Sequence, residues 1–504
     1  MARLVVTTTA NFSGGTWTDI STDVVAPAGM TIDWGMDGGR PDDNCARPGT
    51  CAFTLNNLAR VGGLQGRYSP GHANCISGWG LNLKLRVTFT IGGSSRVLGP
   101  YYVADITPLP GQYGPQTVAV LATDWLEEAA ETAAVTANSV GVDGSVVITE
   151  LLANMDIQPT GTDLDTGLSA FGYPLTDLDG REDRVLAAFK GIAQSEGGYV
   201  YLTGAGVLTF ESRARRLGNT VDDFTLDNSM HGLEAGRSRD ALLNALRLTV
   251  HPFTESDGLV KLATLEGTAP IAQYGSTDGV TVRMEYTDPA TGLACAARDV
   301  VGAVGPAYAY LTANSREDGL GVDMTLSCDV YTTITPTAAE IRVVNARGAY
   351  NAYVVGLEVW GIALVQSNPV VAVSEDGTSI TAYGRRTLDV DMPYQSNLNV
   401  AQALADYWRL IYADADTRAS SLSCVIVGDA ALQALLLGVD VGSRIALLEP
   451  MTALDRSYWV QGVAVAIAEG PVVSLTLRLA PATREEYWLL GTSTLATDTI
   501  PAPV

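Results

Sequence analysis

The 504-residue sequence predicts a mainly β protein with α+β parts. Three observations carry this. Glycine stands at 52 against 8 Phe and 8 Trp, and short Val/Thr/Tyr runs lie between Gly/Asp/Asn clusters, the punctuation of short strands. The chain is too long for one core, so three or four domains are expected. Hydrophobic residues make up 47% and charged residues 17%, which suits packed structure and argues against disorder.

Residues 1–135 read as one β-domain. After an extended start comes 30–34. Residues 51–55 then alternate, with Cys51, Phe53 and Leu55 on one face. Residues 56–70 form a glycine-rich loop, 83–91 and 96–105 a hairpin, and 116–123 a further strand. A helix over 125–134 starts at Asp124 as its N-cap. Residues 136–235 form an α/β part. It has a helix over 146–155 and a second helix beginning within 177–183, with Val185, Phe189 and Ile192 as its stripe and Gly197 closing it. The pair 199–202 and 207–210 is a hairpin around Thr203-Gly204-Ala205-Gly206.

Residues 236–258 read as a connecting strand. In 259–365 the runs 280–287, 308–314, 323–331, 340–345 and 354–360 predict a β-sandwich, in which Tyr308, Tyr310 and Tyr353 pack inside. Residues 366–491 hold a strand, a break at Pro393, and a helix whose start resembles a capping box at Asn399 and Gln402. Val400, Leu404, Tyr407 or Trp408, and Ile411 mark its apolar face. The strands 422–427, 442–447, 458–465 and 472–479 and a short helix or turn at 430–437 follow, and 492–504 is a small, polar tail.

The net charge of −24 comes from 55 acidic and 31 basic residues. Such a chain does not grip a phosphate backbone, because binding there depends on Lys and Arg displacing counterions. It could line a passage through which DNA slides, or the charge could serve solubility alone. There is no apolar run long enough to span a membrane. The start reads as a strand and turn, so the expectation is a soluble chain not exported by the usual signal peptide. Three histidines (His72, His231 and His251) are far apart, and no metalloprotease, serine-hydrolase or P-loop pattern occurs.

The sharpest local oddity is the set Cys45, Cys51, His72 and Cys75. Read as metal ligands they make a Cys₃His zinc site, the sole cofactor the sequence suggests. Cys45 and Cys75 could instead form a disulfide in an oxidising environment. The plainest reading is three small hydrophobes and a surface histidine. Cys295, Cys328 and Cys424 are solitary core residues.

Six short elements resemble the minor tail and tail-tip (baseplate hub) proteins of siphophages. They are Gly39-Arg40, Thr54-Leu55-Asn56-Asn57, Gly66-Arg67-Tyr68-Ser69-Pro70, Leu85-Arg86-Val87, Tyr102-Val103-Ala104-Asp105 and Asp124-Trp125-Leu126, in the family's order. The run from Phe189 to Arg213, the segments 341–345 and 352–354, Tyr458-Trp459-Val460-Gln461-Gly462 and Tyr487-Trp488-Leu489-Leu490-Gly491 are similar as well. The inserted cysteines and the lengthened 71–80 loop depart from the pattern.

The resemblance implies two tail-tube-like β-barrel domains, 1–135 and 366–491, beside the α/β domain and the inserted β-sandwich. It implies a virion protein of the bacteriophage tail tip, assembled in the host cytoplasm, without enzymatic activity. A homotrimer would form a pseudo-sixfold ring that closes or extends the tail tube and lets the tape-measure protein and DNA pass, DNA being cargo. Implied partners are a distal tail or tube ring protein, the tape-measure protein and tail fibre or tip proteins. The loops 56–70 and 376–386 are candidates for register between rings. An alternative is a receptor- or glycan-binding tail module acting through the sandwich, and a wall-degrading enzyme is the third class.

Overall fold

The computed structural model describes residues 4–12, 14–25, 29–58, 65–111, 114, 116–134, 141–172, 184–301, 311–347, 349–426, 428–468, 472–482, 487–488 and 500–501. Among the described residues 45% are strand and 16% helix, so the protein is mainly β with α+β parts. One 13-stranded sheet runs through it. From one end the path is Gly232–Gly236, Arg418–Val425, Val472–Pro481, Leu454–Ala468 and Met30–Gly35. It continues through Arg47–Asn56, Thr117–Thr123, Ser94–Leu109, Lys84–Ile91, Val5–Ala10 and Thr18–Asp19. Arg444–Glu449 and Phe224–Asp227 branch from Leu454–Ala468.

The path ends on different strands, so among the described residues the sheet does not close on itself. The two barrels expected of 1–135 and 366–491 are contributions to one open sheet. Met30–Gly35 is the reason: one edge pairs with Arg47–Asn56 and the other runs antiparallel to Leu454–Ala468, with Ile32 opposite Val465 and Trp34 opposite Val463. Two glycines make this seam possible. A Cβ on Gly35, whose φ is +97°, would stand 2.5 Å from the Gln461 carbonyl oxygen. One on Gly462 would stand 2.2 Å from the Arg478 guanidinium. Both sit at register shifts, where a bulge turns the ladder.

Arg478 then ties the seam across the chain's two ends. It donates to Asp33 Oδ1 at 2.8 Å, to the Trp34 carbonyl at 2.9 Å and to the Met36 carbonyl at 2.7 Å.

The α/β part has Gly161–Leu164, Val207–Glu211 and Tyr199–Leu202 as its sheet. The helices Gly144–Ala153 and Val185–Glu196 accompany it. Gly197 closes the second helix at φ +70°, as its position in the sequence requires, whereas the expected start within 177–183 lies outside the described residues.

A third sheet sets Ala245–Val250 between Val370–Glu375, antiparallel, and Thr387–Met392, parallel. The strand expected to connect domains is thus a central strand. Leu398–Tyr412 covers one face through Ala401, Leu404, Ala405, Trp408 and Tyr412. This stripe keeps Leu404 and Trp408 of the expected face and leaves Val400, Tyr407 and Ile411 half-buried. The N-cap is Asn397, whose side chain accepts from Asn399 N, and not Asn399. Gln402 turns away from a capping box to donate to the Val373 carbonyl at 3.1 Å. Asn397→Ala should therefore cost about 1 kcal/mol in urea-unfolding stability, and Asn399→Ala much less. The segment 376–386 contains a helix, Gly377–Tyr383, capped by Asp376.

Between Val250 and Val370, which face each other in the ladder, the chain makes the inserted sandwich. Its long strand, Ala352–Gln366, pairs with Phe253–Glu255, Val260–Thr264, Ile271–Ala272, Ala296–Val301 and Leu311–Asn314. The facing sheet is Val280–Glu285, Ala338–Val344 and Asp329–Ile334. Leu262, Met284, Ile341, Val343, Leu357 and Val359 fill the space between, with Cys295 and Cys328 among them. Tyr308 and Tyr310 lie outside the described residues, Tyr353 is half-buried, and of the tail 492–504 only 500–501 is described.

Candidate functional site

Alternation and register give the large sheet a second face, turned away from its apolar core. Thr476 lies opposite Ala464, Ala466 opposite Thr31, Thr31 opposite Ala52, and Thr54 opposite Ala119. These are small or hydroxyl-bearing side chains, half-buried or exposed. A shallow depression of about 300 Å³ lies over Thr31, Ala52, Thr54 and Ala119, bounded by Asp105 and Leu121. Arg478, the cation on the adjoining strand, is held by Asp33, which also receives Arg47 at 3.1 Å.

The opposite face is locked to the α/β part. Asp440 accepts from Trp34 Nε1 at 2.8 Å, from Arg96 Nη2 at 3.0 Å and from Gly204 N, joining three distant stretches of chain. Gly204 is packed so closely that a Cβ would stand 2.8 Å from Leu98. Glu196 and Arg213 form a buried pair at 2.9 Å, and Gln395 donates to the Ser195 carbonyl at 3.0 Å from the helix-covered sheet. The three parts therefore present the hydroxyl-bearing face as a fixed surface.

Asp124 lies on this framework, buried, as the cap of the Trp125–Glu131 helix. Burial raises its carboxyl from the ordinary 3.8 to about 7, against hydrogen bonds from Leu126 and Gly49 that favour the charged form. A carboxyl raised on folding contributes stability below its unfolded value that is lost as pH rises through the folded one. Asp124→Asn, which keeps an acceptor for the cap, should lose less stability than the unmodified chain between pH 5 and pH 8, as read from urea midpoints.

The residues singled out as metal ligands are not brought together. Cys51 is fully buried on the inward face of Arg47–Asn56, and burial pushes its thiol up to about 12. Cys45 bridges Val200 and its thiol is likewise pushed up by burial to about 12. Zinc ligation needs thiolates, which such burial disfavours. His72 is exposed, its Nδ1 accepting from Asn74 N at 3.1 Å. Cys75 is half-buried, and all three thiols are free. Among the described residues no group of three or more His, Cys, Asp or Glu side chains is placed to hold a metal ion. His251 is engaged by Asp391 at 2.6 Å and by Gln366 at 3.3 Å, with no serine or cysteine among these partners.

Of the loop 56–70, residues 59–64 lie outside the described ones. The rest is stitched down: Tyr68 is buried, donates to Asp23, and takes Asn57 Oδ1 on its backbone N–H. On the sandwich, Tyr274 and Tyr350 are 61% and 58% exposed, in loops flanking the start of Ala352–Gln366. Asn351 Oδ1 accepts from Tyr274 N and so holds the two loops together. Sequence reasoning missed this pair, because an isolated tyrosine in a turn carries no periodic signal. No helix among the described residues is long and apolar enough to cross a membrane.

No family model matches the chain, and no curated protein matches it. Among solved structures it is similar to the tail protein from Neisseria meningitidis MC58, at 10% identity and a TM-score of 0.47, covering 94% of this chain and 96% of that one. The 43 kDa tail protein of prophage MuSo2 from Shewanella oneidensis is similar at 8% identity and a TM-score of 0.48, covering 95% and 98%. The prophage tail protein gp18 from Listeria monocytogenes EGD-e gives 8% identity, a TM-score of 0.41 and 94% of each chain.

Proposed function

We propose that the chain is a structural subunit of a phage-type tail, without an enzymatic mechanism, three copies of which join into a ring at the tail tip. The observation that carries this reading is the single open sheet built from both ends of the chain, with its hydroxyl-bearing face. Among the described residues, an open sheet this wide leaves edges at Gly232–Gly236 and along Thr18–Asp19 with the adjoining part of Val5–Ala10. Such edges invite pairing with other chains, and head-to-tail contacts that close on themselves satisfy them in a ring. The hydroxyl-bearing face would then line the lumen, where the tape-measure protein and DNA pass without being held. The siphophage-like motifs agree with that placement, within a virion assembled in the host cytoplasm, between a distal tube ring and fibre or tip proteins.

Mass measurement of the purified chain, followed by imaging of particles, tests the reading. A trimer, or a three-lobed ring with a central hole, is the expected result. A hexamer would move the protein to a position nearer the tube, and a stable monomer would count against self-assembly.

The exposed Tyr274 and Tyr350 favour a second reading, in which the pole of the sandwich holds a host glycan. Aromatic faces of this kind stack on sugar rings. Pull-down of the full chain by host wall polysaccharide, lost in a Tyr274→Ala/Tyr350→Ala variant, would support it, and no binding by the unmodified chain would sink it.

A further inference from the structure

Beside the start of the strand Lys84–Ile91 the fold forms an open hollow of about 530 Å³. Alternation puts Lys84 and Arg86 on one side of that strand, about 7 Å apart at the backbone, and the buried Leu85 and Val87 on the other. The partner strand makes room there. Its register shifts so that Gly99 and Pro100 together stand opposite Arg86, where a long side chain would fill the space. Thr160 and Ala205 of the α/β part are also among the walls. Gly99 N donates to the Gly204 carbonyl at 2.8 Å, and Thr160 N to the Gly206 carbonyl at 2.9 Å, which fixes that side against the sheet.

Each cation in the hollow is set against an aromatic ring. The Arg86 guanidinium carbon lies 3.4 Å from the centre of the Trp17 ring, and Lys84 Nζ lies 5.6 Å from that of Tyr102. The described walls hold these two cations and no Asp or Glu. In a chain of 55 acidic and 31 basic residues such a lining is unusual. The seam arginines Arg47 and Arg478, by contrast, both meet Asp33. Burial accordingly holds the Arg86 guanidinium below its ordinary value.

We infer that this hollow binds an acidic polypeptide segment in extended form, with Lys84 and Arg86 as its contacts. The space is far larger than the roughly 10–15 Å³ that one water needs, so it suits a ligand of many atoms rather than a lone ion. In an extended peptide, side chains two residues apart share a face at the same spacing of about 7 Å, so alternate carboxylates reach both cations. One face of each ring is covered by its own cation, which removes a platform on which a base or a sugar would stack. Two cations also fall well short of the roughly 6–10 phosphate contacts of a nucleic-acid binder. Such a contact needs no ring of copies.

Calorimetric titration of the full chain at low salt, with a blocked nine-residue peptide of alternating Asp and Thr, tests the site. The counterpart peptide with Asn for Asp, polygalacturonate and an oligothymidylate are titrated alongside. Saturable binding of the Asp peptide, and none of the Asn peptide, is the expected result. Lys84→Gln/Arg86→Gln is expected to weaken that binding by about tenfold, as the loss of two exposed ion pairs implies. Should the double variant not fold, Lys84→Gln alone, at an exposed position, is expected to weaken it by about threefold. Unchanged binding in the variant, or no binding of the Asp peptide to the unmodified chain, would overturn the site. Tighter binding of polygalacturonate or the oligonucleotide than of the Asp peptide would overturn the polypeptide as its ligand.

Discussion

Arg213→Ala should destabilise the chain by about 3–5 kcal/mol, because it strands a charge in the interior. Glu196 is fully buried, and its oxygens accept from Arg213 Nη1, Leu168 N and Ser169 N at 2.9–3.0 Å. Burial already raises this carboxyl above its ordinary range, with Arg213 as the chief opposing influence. Without Arg213 the carboxyl rises further. The sign follows from proton linkage: a carboxyl raised on folding gives up stability as pH climbs through its folded value. Arg213→Ala should therefore recover stability on going from pH 7 to pH 5. Adding Glu196→Gln should recover part of the loss at pH 7 and flatten that pH dependence. Urea midpoints of the unmodified chain and the two variants at both pH values check this. A single variant within about 1 kcal/mol of the unmodified chain would show that water reaches the pair.

Gly35→Ala should open the seam between the two ends of the chain. The backbone at +97° is strained for any residue with a Cβ, and the nearest neighbours, at 2.5 and 2.8 Å, include backbone atoms of Gln461 and Gly462 that cannot swing aside. A loss of roughly 2–4 kcal/mol is expected. Gly14→Ala makes the control. Gly14 has a φ of +75° and open space around it, so that change carries the backbone strain alone, about 1 kcal/mol. If the loss at Gly35 comes from the seam, limited proteolysis will cut the variant near 30–36 and 458–468 before other described strands. Equal losses at the two glycines would mean that the seam yields.

Local signals carried much of the element map. Asp124 capped a helix, Gly197 ended another, and the runs flanking 203–206 became a hairpin, since each is decided by a few neighbouring residues. The helix Gly377–Tyr383 escaped notice because its Thr, Ser, Ile and Tyr are weak helix formers, held there by a cap and by Ser379 donating to the Ala413 carbonyl at 2.7 Å. Partner choice was the larger blind spot. Met30–Gly35 alternates as a strand must, but nothing within it says that its second neighbour lies more than four hundred residues away. The same holds for Ala245–Val250, whose two neighbours come after the sandwich. The cysteines posed a related problem. Their spacing in sequence said nothing of direction, and Cys51 points inward from its strand while His72 stands in solvent.

The way the sandwich is attached has a consequence for how such a chain can change. It leaves the sheet at Val250 and returns at Val370, two residues paired in the ladder, so its entry and exit stand about 5 Å apart. To the sheet beneath, the whole sandwich is one long hairpin loop, and a short turn would satisfy the same two strand ends. Its buried cluster is separate from the one under the Leu398–Tyr412 helix. A lineage, or an engineer, could thus swap, trim or graft the outer module while the frame below keeps its register.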